Sequence, residues 1–220
     1  MATFNEDTRI HGTLTANSVV SQSATITNAM ISPTAAIARS KLAQDTLALF
    51  SILLHMLRVH DALQTLLPTT AAADDLALDP GVFGTSSPHV SAGDLKAAGA
   101  TTRYARLLVP LPVEYDDGQT VQIRLHAGML TTVADTSCTV DVECYKSDEE
   151  GGVGSDLCTT AAQSMNSLTF ADLDFTITET GLVSGDVLDI RIAVACNDAA
   201  TGTAVEPVIG AAHLLCDFRG

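Results

Sequence analysis

The segment 182–196, LVSGDVLDIRIAVAC, is the stretch that most constrains how this chain folds. Ser184-Gly185-Asp186 has the composition of a tight turn. After this turn, apolar residues occupy every second position from Leu188 to Cys196, which predicts a β-strand with one face in a core. The alternate face mixes Asp189 and Arg191 with small apolar residues. We therefore expect that face to be partly covered by another sheet or by a neighbouring subunit.

The same alternation recurs along the rest of the chain. It is clear in five further segments: 103–111, 120–127, 138–145, 171–178 and 208–218. Segment 47–57 fits a strand or a helix, and its short length favours a strand. Segment 66–99 is rich in Pro and Gly and predicts long loops with one short strand near 76–78, and 157–161 predicts a weak strand. About eight strands separated by turns are typical of an antiparallel sandwich. We predict a mainly β protein with a jelly-roll-like β-sandwich domain over residues 47–220.

Residues 1–46 have a different character and predict an extended N-terminal arm. The segment is rich in Thr, Ser, Ala and Asn, and its apolar residues are too widely spaced for a helix face or a long strand. Residues 33–45, PTAAIARSKLAQD, predict a short helical connector with proline at its start. An arm of this kind buries little apolar surface alone, so we predict that it makes assembly contacts, with packing on its own domain as the alternative. The predicted contact residues are Ile10, Leu14, Val19, Val20, Ile26, Ile31, Ile37 and Leu42.

The amino-acid composition limits the classes of molecule that this chain is expected to bind. The net charge is −15, from 26 acidic and 11 basic residues, so we expect no nucleic-acid partner and no docking on anionic membranes. The opening residues are polar and lack the apolar segment of a signal peptide, and no run is long enough to span a membrane. Cys138, Cys144, Cys196 and Cys216 lie on the apolar sides of alternating runs. We therefore expect buried thiols, rather than disulfides, in a chain made in a reducing cytoplasm.

Candidate chemical sites are few. The acidic loop 146–156, KSDEEGGVGSD, offers oxygen ligands for calcium, but it lacks EF-hand spacing and is equally typical of a solvated hairpin loop. Asp172 and Asp174 alternate outward on one predicted strand and are interpreted as its wet face. His55 and His60 are badly spaced for a metal and are interpreted as packing or surface residues. The chain has no nucleophile elbow, phosphate loop or dinucleotide motif, so we expect no enzyme activity and no cofactor.

Three blocks of sequence resemble a known family. They are 26–46 (ITNAMISPTAAIARSKLAQDT), 93–148 (from GDLKAAGATTRYARLLVPLPVEY to VECYKSD), and 167–178 together with 185–205 (SLTFADLDFTIT and GDVLDIRIAVACNDAATGTAV). They are similar to small structural proteins of tailed-bacteriophage virions, including capsid-decorating and fibre proteins. The blocks carry no functional motif, so the resemblance transfers no site residue.

The resemblance implies a homotrimeric, jelly-roll-like particle protein on the exterior of the capsid. A decoration or cement protein would bind the phage major capsid protein through the arm and stabilise the shell. A head or tail fibre component is the first alternative, with a host receptor contacting the 66–99 and 146–156 loops. A soluble trimeric binding module of the tumour-necrosis-factor type is the second.

Overall fold

The computed structural model describes residues 47–148, 150–200 and 202–218, and nearly all of their regular structure is β-strand. A single 3-10 turn of helix, Leu54–Met56, interrupts the strands of the described residues. No helix among them has the length and hydrophobicity to cross a membrane. The strands are β1 (Ala48–Ile52), β2 (Arg58–Val59), β3 (Ala62–Leu66), β4 (Ala77–Asp79), β5 (His89–Ser91), β6 (Thr101–Pro110), β7 (Val121–Met129), β8 (Ser137–Lys146), β9 (Gln163–Ser164), β10 (Ala171–Ile177), β11 (Val187–Asn197) and β12 (Pro207–Cys216).

The strands form two antiparallel sheets. Sheet A has the order β10-β7-β12-β5-β4, and β1 pairs with β12 beyond the end of β5. Sheet B has the order β3-β2-β6-β11-β8-β9. Each long strand buries alternate residues, and the buried residues of both sheets form one apolar cluster. Two sheets with a shared core make a sandwich, so the jelly-roll-like antiparallel β-sandwich expected from the sequence is confirmed.

Strand β11 follows the predicted pattern along its whole length. Leu188, Ile190, Ile192, Val194 and Cys196 are all at most 2% exposed, whereas their alternate neighbours are half-buried. The turn before it also has the predicted chemistry: Gly185 has φ +87°, a conformation that suits glycine, and Asp186 Oδ2 accepts a hydrogen bond from Val183 N at 2.8 Å. The strand lies between β6 and β8 at the centre of sheet B. The most regular segment of the sequence is therefore scaffold.

The short elements depart from the predictions. Segment 47–57 is a strand only as far as Ile52, and the prediction that it continues to Leu57 is wrong because the chain turns at Leu54–Met56. Segment 157–161 is not a strand either. It forms one isolated bridge, between Cys158 and Ile177, with backbone hydrogen bonds from Thr159 N to Thr176 O at 2.9 Å and from Thr178 N to Leu157 O at 2.7 Å. Within 66–99 the predicted strand is present as β4, and the sequence did not predict β5.

Candidate functional site

A cleft of about 580 Å³ crosses the outer face of sheet B. Its floor is made by outward side chains of the three central strands: Arg106, Glu143, Tyr145, Asp189 and Arg191. The strand register brings them together, since Arg191 lies opposite Arg106 on β6 and opposite Glu143 on β8. These residues are distant in sequence, and the antiparallel pairing alone makes them neighbours.

The floor charges are held in cross-strand pairs. Arg106 Nε donates to Asp189 Oδ1 at 2.7 Å, and Arg191 Nε donates to Glu143 Oε2 at 2.6 Å. A second guanidinium nitrogen of each arginine contacts the same carboxylate group. Paired charges of this kind fix the positions of donors and acceptors along the floor.

Aromatic contacts connect the floor to one wall of the cleft. The guanidinium carbon of Arg191 lies 4.9 Å from the centre of the Tyr104 ring, within cation–π range. The other neighbour of this ring is His60, with ring centroids 4.8 Å apart. His60 follows β2 and lines the cleft on the β6 side.

The opposite wall is the loop after β8. Ser147, Gly151, Gly152 and Val153 line the cleft there, which places part of the acidic loop at a candidate binding surface. Asp148 Oδ1 accepts hydrogen bonds from the backbone of Glu150 and Gly152 at 2.9 and 2.7 Å. One oxygen of Asp156 similarly binds the amides of Cys144 and Cys158. These carboxylates shape the loop through backbone hydrogen bonds, as in a hairpin loop.

Sheet A carries its own charge ladder. Arg124 donates to both carboxylate oxygens of Asp174, at 2.6 and 2.8 Å, and His126 Nδ1 lies 2.8 Å from Asp172 Oδ1. The hydrogen bond from Arg124 lowers the pKa of Asp174. The two aspartates thus lie on an outer face, as predicted, and each has a basic partner on β7.

A second, mostly apolar groove of about 530 Å³ lies at the other sheet. It is bordered by segment 51–55, by Pro80 and Pro88, and by segment 210–213 of β12. Beside it Leu49, Leu53 and Met56 are 51%, 52% and 50% exposed. We call these three side chains and the groove the base surface. Its first part, residues 49–56, comes shortly after the segment predicted to be an arm.

The five cysteines are free thiols. Cys138, Cys144, Cys196 and Cys216 are buried, as predicted, and Cys158 is half-buried. Burial raises the pKa of Cys144 to about 12 and that of Cys216 to about 11. Both thiols are therefore protonated at neutral pH and are poor nucleophiles.

The residues predicted as assembly contacts lie outside the described part of the chain. This applies to all eight, from Ile10 to Leu42, and to the helical connector at 33–45. The sequence did not single out Tyr104, Arg106 or Glu143. Its signals for the cleft were the mixed outer face of β11, which contributes Asp189 and Arg191, and the acidic loop 146–156, part of which lines one wall.

Comparison with known proteins finds only distant structural likeness. The chain matches no protein-family model and no curated protein. Among solved structures it is similar to TmCBM61 in complex with β-1,4-galactotriose (10% identity, TM-score 0.37, covering 61% of this chain and 74% of that one). It is also similar to the xylan-binding module CBM15 (11%, 0.38, 79% and 99%). A chain of infectious bursal disease virus, Gx strain, is a further match (12%, 0.32, 64% and 35%), and this protein spans about a third of its length.

Proposed function

We propose that this chain is a structural protein of a phage virion: a capsid decoration or cement protein that binds the outer shell as a homotrimer. In this proposal the arm, residues 1–46, contacts the major capsid protein and the sandwich projects into solvent. The protein contributes stability to the particle and performs no chemistry. The resemblance of three sequence blocks to virion structural proteins supports this class.

The observation that carries the proposal is the base surface. Large apolar side chains that are half exposed at Leu49, Leu53 and Met56 cluster in one short segment, next to an apolar groove. Exposed apolar groups clustered in this way are typical of protein–protein contact sites. Since they follow directly after residue 46, the apolar surface of the sandwich begins where the predicted assembly segment ends.

The charge distribution supports an outward-facing sandwich. The net charge of −15 makes free copies repel one another and keeps them soluble until they bind a particle. The outer faces of both sheets carry ion pairs, at Arg124–Asp174 and Arg106–Asp189. Faces with paired charges are compatible with exposure to water. The base surface is therefore the least polar of the surfaces described above.

Deletion of residues 2–31 tests the proposal. We expect the truncated protein to unfold with the same midpoint as the full chain but to be lost from purified particles, as measured by quantitative mass spectrometry. Val183→Ser is a control that leaves the arm intact, because Val183 is exposed in the turn before β11 and does not line the groove of the base surface. Normal capsid occupancy by the truncated protein would refute attachment through the arm.

A second candidate function is a fibre component that binds a host receptor. The cleft of sheet B favours it, because Ser147 and residues 151–153 line the cleft, while Asp74 and Asp75, from segment 66–99, contact its wall residue His60. Both loop regions expected to contact a receptor thus meet at one site. A copy number of hundreds per particle would support the cement function, and a few dozen would support the fibre function. Loss of phage adsorption to host cells in Tyr145→Ala, with intact particles, would also support the fibre function.

A further inference from the structure

We propose that His60, Asp74 and Asp75 form a binding site for a divalent transition-metal ion beside the sheet-B cleft. One ligand atom from each residue lies within 4.8 Å of the other two. The set combines one imidazole with two carboxylates. This mixed nitrogen and oxygen set suits zinc, manganese or cobalt, whereas calcium and magnesium prefer oxygen ligands alone.

Two unsatisfied atoms point to a missing ligand. His60 Nδ1 and Asp75 Oδ1 are buried from water and have no hydrogen-bond partner. They lie 3.6 Å apart, too far for a hydrogen bond between them. Leaving buried polar atoms unpaired is costly, and each such atom in a folded protein calls for an explanation.

The separation suits a shared cation. Two ligand atoms at about 2.0–2.2 Å from a tetrahedral metal lie about 3.3–3.6 Å from each other. Asp74 Oδ2 lies 3.6 Å from the other ring nitrogen, Nε2, and the Asp74 side chain is 57% exposed, so it has to turn toward the Nδ1 side of the ring to supply the third ligand. A divalent ion would also neutralise the charges of the two carboxylates.

Tyr104 fixes the three residues in place. Its backbone N donates to Asp74 O at 2.7 Å, and its O accepts from Leu76 N at 2.9 Å, so strand β6 holds both sides of Asp75. Its ring packs against the His60 ring. The donors therefore come from two loops that are pinned to one residue of a central strand, and little ordering is required when a metal binds.

The same chain contains a pair that lacks the third donor. His89 Nε2 is also buried and unpaired, and it lies 3.8 Å from Asp79 Oδ2. Among the described residues, His89 and Asp79 do not belong to any group of three potential metal ligands. His89 and Asp79 thus provide an internal control for a histidine that has a single acidic neighbour.

Metal-dependent thermal unfolding of the full chain, after removal of metals by chelation, tests the proposal. We expect Zn²⁺ and Mn²⁺ to raise the Tm of the wild type and of the control Asp79→Asn, and Ca²⁺ to have no comparable effect. Asp75→Asn, which keeps the shape of the side chain, should weaken Zn²⁺ affinity by about tenfold or more in titration calorimetry.

Co²⁺ gives an independent readout that does not depend on stability. A tetrahedral site in the wild type should produce visible absorption bands that Zn²⁺ displaces, and the bands should be lost in Asp75→Asn. If that variant fails to fold, His60→Gln takes its place. Absence of bands in the wild type, or equal metal responses in Asp75→Asn and Asp79→Asn, would overturn the proposal and leave an ion-paired histidine.

Discussion

The outer faces of the two sheets have similar chemistry but different surroundings. Each carries an arginine that binds an aspartate on the neighbouring strand: Arg124 with Asp174 on sheet A, and Arg106 with Asp189 on sheet B. The carboxylate on sheet A is 37% exposed and the one on sheet B is 19% exposed. Sheet B differs because His60 lines one side of its cleft, while Ser147 and residues 151–153 line the other side. The alternation of each strand thus places charged residues on the outer face. The segments at the sheet edges determine whether these residues lie on an open face or in a cleft.

The largest effect should come from the inner side of sheet B. Ile192 is 1% exposed and points into the core, whereas its neighbour Arg191 points outward. Ile192→Ala leaves a cavity in the core, so we expect the free energy of unfolding to fall by about 2–5 kcal/mol. Urea denaturation measures the change, and a loss comparable to that of Arg191→Ala would contradict the assignment of this side as core.

The outer side of the same strand should matter less. Arg191→Ala removes a half-exposed ion pair with Glu143 and the contact with the Tyr104 ring, so we expect a loss of about 1 kcal/mol. A double-mutant cycle with Glu143→Ala isolates the pair energy. A coupling energy above about 3 kcal/mol would show that the cleft floor behaves as a buried ion pair rather than a surface pair.

The ion pair between Arg124 and Asp174 on sheet A should make the stability of the protein depend on pH in the acidic range. Because Arg124 lowers the pKa of Asp174 in the folded protein, the stabilisation is present above the ordinary aspartate pKa of about 4 and is lost as pH falls through the lowered value. Asp174→Asn should flatten the dependence of the urea midpoint on pH below about pH 4. An unchanged profile would show that the pair does not stabilise the fold.

The smallest effect on stability should come from the base surface. Leu53→Ser combined with Met56→Ser alters side chains that are about half exposed, so we expect a change in unfolding free energy of about 0.5 kcal/mol or less. Binding to particles, or self-association measured by light scattering, should nevertheless decrease. If the double variant still assembles normally but its free energy of unfolding falls strongly, these residues stabilise the fold and not an assembly contact.

The sequence predicts the long strands and fails at the short ones for a physical reason. Segments 120–127 and 138–145 match β7 and β8 because a two-residue period needs several repeats to be recognised. Strand β5 has three residues, and no period can be read from His89-Val90-Ser91. Its position depends on pairing with Val208 and Ile209 of β12, far along the chain.

The sites depend even more on tertiary structure. The alternation shows that Arg191 points outward, but only the strand order places it beside Glu143 and Arg106. His60 was interpreted as a packing or surface residue because His55 is badly spaced for a shared metal. The acidic neighbours of His60 are Asp74 and Asp75, which the sequence analysis assigned to a long loop. Spacing rules do not detect ligands that a loop brings to a histidine from outside its own element.

The placement of β12 has a consequence for the order of events during synthesis. This last strand lies in the interior of sheet A, between β7 on one side and β1 with β5 on the other. Strands β6, β8 and β11 can pair before β12 leaves the ribosome, whereas β1 has no other strand partner in the described structure. The apolar side of β1 therefore waits for Leu214 and Ala212 until all the intervening strands have been made, and such delayed long-range pairing slows folding. A nascent chain stalled before residue 207 should be a target for chaperones, and synthesis of β12 should close the sandwich.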